Sequence, residues 1–131
     1  MSNNLDKILA EISAGELIDK ITILEIKKDK IPNKDKLENI KKELLSLNDT
    51  MNKFIPKKSE IINLTNELKL INLQLWDIED GKRECEKEKN FNEKFIKLAR
   101  NVYKLNDERA RVKLAINNIL GSNIKEVKSY E

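Results

Sequence analysis

The residues best suited to chemistry cluster in two stretches. In "LWDIEDGKREC", residues 75 to 85, the only tryptophan, Trp76, stands beside Asp77, Glu79 and Asp80, with Arg83 just beyond. Further on, Arg100, Tyr103, Asn106, Asp107, Arg109 and Lys113 interrupt an otherwise apolar helical pattern. Guanidinium and ammonium groups hold phosphate, sulfate or carboxylate through charge-assisted hydrogen bonds, and indole and phenol rings offer a flat wall to a sugar or a base. Glu25, Glu79 and Asp107 could instead hold magnesium, since hard cations take oxygen ligands. With no His and one cysteine, Cys85, the chain has no Cys–His or Ser–His–Asp nucleophile set, no disulfide framework and no Cys/His zinc site. Glu-x-x-His pairs, which a di-iron bundle would need, are also missing. "GKREC" lacks the rest of a phosphate-binding loop and reads as helix, and Cys85 falls on the apolar seam.

These side chains must be positioned by helices. The 131 residues are 39% hydrophobic and 37% charged with 3 Gly and 2 Pro, which predicts a single all-α domain over residues 1–131, with 1–12 as a lead and 122–131 as a tail. The net charge of +3 is too small to imply nucleic-acid binding, and the excess lies in residues 92–131 at +4 against −1 for the rest. The absence of a long apolar run or a signal-type start predicts a cytoplasmic protein without membrane contact.

"SAGE", residues 13–16, has capping-box spacing and should open a helix over about 14–30, apolar on two sides and hence wedged between neighbours. Pro32 ends it. Leu37, Ile40, Leu44, Leu47, Met51 and Phe54 form the seam of a second helix, about 34–54, closed by Pro56. Helices over about 57–89 and 91–120, the latter capped by Asn90 with Glu93 and stopped by Gly121, should form a long antiparallel hairpin. The expected architecture is a four-helix, bundle-like fold with the first two helices packed on that hairpin. Ile124, Val127 and Tyr130, spaced by three, could dock the tail.

Helical wheels bring the chemistry together. Asn72, Trp76, Glu79 and Arg83 line one strip beside the seam of the third helix, with Asp77 and Asp80 turned outward. Asn106, Arg109, Lys113 and Asn117 occupy the middle of the fourth helix's apolar stripe, so its cations must meet carboxylates, a bound anion or water. A turn near residues 89–90 makes facing positions sum to about 179 and pairs Glu79 with Arg100, Trp76 with Tyr103 and Asn72 with Asp107. Lys20, Glu25 and Lys28 could join from the first helix. Such a patch is either an ion-pair network that fixes the bundle's register or a pocket for a small anionic ligand, such as a phosphorylated sugar or a nucleotide.

The blocks "SAGELIDKITILEIKK", "LWDIED", "FIKLARNVYKLNDERA" and "INNILGSNIKEVKSY" resemble a family of small bacterial proteins described only as a domain of unknown function. The resemblance spans Ser13 to Tyr130, least specifically over residues 32–68, and singles out Glu16, Asp19, Lys20 and Glu25, then Trp76 to Asp80, then Arg100 to Arg109. Ala14, where such proteins often have Pro, and Gly81, where a helix former is usual, depart from the pattern. The resemblance implies an accessory protein associated with glycosyltransferase or surface-polysaccharide genes and assigns no catalytic residue. The expected function is therefore non-enzymatic binding, with a protein partner or a second copy also expected and no resident cofactor. The competing expectation is a magnesium-dependent hydrolase or transferase acting on a nucleotide or phosphorylated sugar, with Arg100, Arg109 and Lys113 neutralising phosphate charge and Tyr103 as a proton donor. The chain lacks the known RNA-binding signatures.

Overall fold

A computed structural model describes residues 5–128 as four helices with no strand among them: α1 (Ala14–Lys30), α2 (Lys34–Phe54), α3 (Ser59–Lys87) and α4 (Glu93–Leu120). The fold is all-α and bundle-like. Ser13 caps α1 by accepting from the Glu16 amide at 3.0 Å, and Asn33 caps α2 by accepting from Lys36 at 3.0 Å. Only half of the expected capping box forms at α1, because the Glu16 carboxylate turns away to Lys113 at 2.6 Å. Pro32 and Pro56 lie just beyond the helices they were expected to stop.

Helices α3 and α4 form the predicted antiparallel hairpin, shorter at its tip than expected. Lys89 adopts a left-handed conformation (φ 53°), and the Asn90 side chain accepts from the Asn92 amide at 3.3 Å instead of capping a helix. Asn92 is the cap of α4, accepting from Lys94 at 3.2 Å. The inferred register holds: a side chain on Gly81 would meet Leu98 at 3.2 Å, and those positions sum to 179. The half-buried Gly81 thus admits Leu98 to the seam at little loss of packing.

Helix α1 is wedged, as its two apolar sides demand. Ile18 joins Ile61, Leu68, Ile71, Val112 and Ile116 from the hairpin, while Leu17, Ile21 and Leu24 join Ile40 and Leu44 from α2. Each such aliphatic side chain contributes roughly 1.5–3 kcal/mol when fully buried. Helix α2 packs chiefly on α1, and it reaches the hairpin core through Met51 and the following Ile55. Phe54, expected on the seam, is 73% exposed because the helix ends there and Ile55 takes the inward place.

Gly15 fixes where α1 crosses α4. A Cβ there would stand 2.5 Å from the Lys113 carbonyl oxygen, and the Gly15 amide donates to Asn117 Oδ1 at 2.6 Å. Only glycine permits that approach. Gly121 closes α4 in the left-handed conformation (φ 64°), as its position predicted. The tail then folds back over the start of α1. Ser122 Oγ accepts from the Ala14 amide at 3.2 Å, Ser13 Oγ donates to Glu126 at 2.7 Å, and Lys128 bonds Asp107. Docking is thus polar: Val127 is 90% exposed, Ile124 is also exposed, and Tyr130 lies outside the described residues.

Candidate functional site

The polar residues inside α4 meet carboxylates of α1. Because α1 runs antiparallel to α4, Gly15, Glu16 and Asp19 face Asn117, Lys113 and Arg109 in turn. Asp19 is completely buried. Arg109 holds it with two parallel donations, Nε to Oδ1 at 3.0 Å and Nη2 to Oδ2, and the second is a short contact. From α3, Asn72 Nδ2 donates to Asp19 Oδ1 and to Thr22 Oγ1, both at 2.9 Å. Lys113 sits 3.9 Å from Asp19 and 2.6 Å from Glu16. One carboxylate therefore ties three helices together, the geometry that makes a buried ion pair tolerable.

The hydrogen bond to Asp19 raises the pKa of Arg109, and the charges of Asp19 and Glu16 add to that, against the opposing effect of burial. A raised folded-state value means that the stability tied to the charge of Arg109 is complete below the ordinary arginine value and is lost only as pH rises through the raised one. It is constant through the neutral and moderately alkaline range.

Two open pockets flank this pair. The first, about 360 Å³, lies between α1 and α3. Its apolar wall is Ile23, Ile26, Leu75 and the half-buried Trp76, and its polar rim is Lys27, Asn72, Glu79, Asp80, Arg83 and Arg109. Asn72 Oδ1 makes no hydrogen bond among the described residues and is not sealed from solvent, so it remains available as an acceptor. The second pocket, about 250 Å³, is bounded by Glu16, Asp19, Lys20 and Leu24 of α1 with Glu43 of α2, and shares Ile23, Lys27 and Arg109 with the first. Lys20, Lys27 and Arg83 form no ion pair among the described residues.

Of the predicted patch, Asn72, Trp76, Glu79, Arg83 and Arg109 meet at the first pocket, and Lys20 lines the second. Asn106 lines neither pocket and accepts from Arg109 Nη1 at 3.4 Å. Arg100 is exposed and Tyr103 is 54% exposed, on the outward side of α4. The predicted cross-hairpin pairs do not form. Glu79 pairs with Lys82 at 3.3 Å, Asn72 turns to α1, and Asp107 turns to Lys128. Glu25 faces Lys69 at 3.9 Å, while Lys28, proposed at the margin of the patch, is exposed. The three carboxylates suggested for magnesium thus face three separate lysines, and among the described residues no group of three or more His, Cys, Asp or Glu is placed to hold a metal ion. Asp77 and Asp80 are exposed and Cys85 is buried, as expected. Lys113, expected to meet an anionic ligand or a carboxylate, meets Glu16.

Sequence reasoning missed Asp19 as the carboxylate awaiting Arg109, and missed Lys27 and Glu43. A signal was present: Gly15, Asp19, Thr22 and Ile26, spaced by four, three and four, form a strip of mostly small or polar residues on α1, and that strip is the face buried against the hairpin.

No helix among the described residues is long and apolar enough to cross a membrane. No curated protein and no solved structure matches the chain. A family profile does, over residues 8–131, and by that match the chain belongs to DUF6165, a family of unknown function.

Proposed function

We propose that the protein is a non-catalytic binding protein whose ligand site is the pocket between α1 and α3, and that its ligand is a small anion carrying a flat ring, such as a nucleotide or a phosphorylated sugar. The observation that carries this reading is the pocket itself. Trp76 stands on an apolar wall while Lys27 and Arg83, neither spent on an internal carboxylate, stand on its rim. A stacking surface next to unpaired cations suits a ring bearing phosphate, and the apolar wall with a few polar groups is the usual make-up of a small-molecule site. Arg109 and Lys113 enter differently from the sequence-based expectation. Their charges are committed to Asp19 and Glu16, so they hold the site's shape. The magnesium-dependent alternative lacks, among the described residues, any group of three or more carboxylates placed to hold a metal ion.

The glycosyltransferase association implied by the resemblance supports an accessory role in bacterial glycan assembly and chooses the first ligands to try. Thermal unfolding with a panel of nucleotides and phosphorylated sugars tests the reading. A ligand at 100 times its Kd stabilises the native state by about 2.7 kcal/mol. The midpoint should rise for the wild type and not for a folded Lys27→Gln/Arg83→Gln variant. No shift with any ligand, at concentrations up to millimolar, rejects the reading.

A protein partner or second copy has separate support. Ile96, Tyr103 and Leu114 are exposed at 52%, 54% and 43% and fall on one side of α4. Sedimentation of the wild type and Tyr103→Lys tests self-association, and a monomeric wild type at 100 µM concentration, to order of magnitude, ends the second-copy version.

A further inference from the structure

The two pockets share one rim, Ile23, Lys27 and Arg109, which brings one cation from α1 and one from α4 to their boundary. Arg109 has five N–H donors, of which three are engaged, by Asp19 and Asn106, so two remain for another acceptor even with the ion pair intact. Lys27 has no partner among the described residues. On one side of this rim stands Trp76 against an apolar wall. On the other stand Lys20 and the carboxylates of Glu16 and Glu43. The two sides therefore suit different chemistry. An indole on an apolar wall takes a ring by its face, whereas carboxylates with a nearby ammonium take a polyhydroxylated group by accepting from its hydroxyls.

We infer that the ligand is bipartite: a diphosphate seated on the Lys27–Arg109 rim joins an aromatic base stacked on Trp76 in the first pocket to a polyhydroxylated group held by Glu16, Glu43 and Lys20 in the second. The inference rests on the reading of the first pocket as the ligand site, and adds that the second pocket belongs to the same site. The chemistry is shared by sugar-bearing nucleoside diphosphates and by dinucleotides. Only the former lack a second base, and no second aromatic side chain lines the second pocket, so the sugar-bearing class fits better. Net charge supports a diphosphate over a longer polyphosphate: of the rim's two cations Arg109 is already paired with Asp19, which leaves Lys27 as the one not offset by a carboxylate among the described residues.

Calorimetric titration of the full chain with five probes tests the assignment: UDP, UDP-glucose, ADP, ADP-glucose and NAD, for the wild type and for Glu43→Gln and Trp76→Leu. Glu43 is exposed and forms no ion pair among the described residues, so Glu43→Gln should fold as the wild type does. The sugar conjugate should bind at least about tenfold tighter than the matching diphosphate, the effect of one hydrogen bond to a charged acceptor. Glu43→Gln should erase that ratio while leaving the diphosphate unchanged, and Trp76→Leu should weaken both. If diphosphate and conjugate bind equally and Glu43→Gln changes neither, the bipartite assignment is overturned while the first pocket stands. If none of the probes binds, the bipartite assignment falls with no support for the first pocket from this class. Equal binding of NAD and the sugar conjugate would overturn the preference for a sugar over a second nucleoside.

Discussion

Replacing Arg109 with Met should cost more stability than any other single change in the polar interior. Asp19 is 0% exposed, and its two oxygens take both parallel bonds from Arg109. Breaking a buried pair by removing one partner costs about 3–5 kcal/mol, because the remaining charge is left in a poorly solvating interior. Two features place this site near the lower bound: Asn72 continues to donate to Asp19, and Lys113, now 3.9 Å away, can move toward it. A loss of about 3 kcal/mol corresponds to a drop of roughly 12 °C in the melting temperature, taking about 4 °C per kcal/mol for a chain of this size. Removing the stranded charge as well should undo part of the damage. The double variant Asp19→Leu/Arg109→Met should regain at least about half of the loss, since an apolar replacement of a whole buried pair is often close to neutral. Urea unfolding of the wild type, both single variants and the double variant gives the complete cycle. An Arg109→Met variant within about 1 kcal/mol of the wild type would place the pair among ordinary surface ion pairs and refute the reasoning.

Gly15→Ala should destabilise by about 1–3 kcal/mol, since its Cβ would press on the Lys113 backbone carbonyl at 2.5 Å, and thermal unfolding reads the loss directly. Gly81→Ala should go the other way by up to about 1 kcal/mol, because a helix interior favours Ala and the neighbouring atom, Leu98 Cδ1 at 3.2 Å, is the end of a flexible side chain; a loss of stability would show that Leu98 cannot yield. Ser13→Ala removes both the cap of α1 and the bond to Glu126, and should lower stability by about 1–2 kcal/mol in urea unfolding. The Lys27→Gln and Arg83→Gln variants should melt within about 0.5 kcal/mol of the wild type, because neither cation has a partner among the described residues, and a larger loss would assign them a structural duty instead.

The helical skeleton was legible because its signals are local. Capping side chains, the proline stops and Gly121 located α1, α2 and the end of α4, and the turn placed near residues 89–90 supplied the hairpin register that Gly81 and Leu98 follow. The tip of the hairpin was less legible, since Asn90 and Asn92 are both competent caps and only the left-handed turn at Lys89 decides between them. The candidate site was legible as a face and illegible as a set of partners. The wheel placed Asn72, Trp76, Glu79 and Arg83 on one strip, and those residues do meet at one pocket. Partner choice depended on α1, a helix whose crossing on the hairpin is set by tertiary contact at Gly15 and by no local rule. The hairpin register therefore points Arg109 and Asn72 at neighbours within the hairpin, whereas Asp19 reaches both from α1. The same dependence hid Glu43, which reaches the second pocket from α2.

Trp76 provides the most direct test, because the chain has one tryptophan and it lines the proposed site. Its emission, excited at a wavelength nucleotides do not absorb, should change saturably as a nucleotide or nucleotide sugar is added. Ligand should also shield it from acrylamide quenching, and both effects should vanish in a Lys27→Gln/Arg83→Gln variant that melts like the wild type. An unchanged emission across the whole panel, with Trp76 equally open to acrylamide at every ligand concentration, would contradict the account and leave Asp19, Arg109 and Asn72 as a purely structural network.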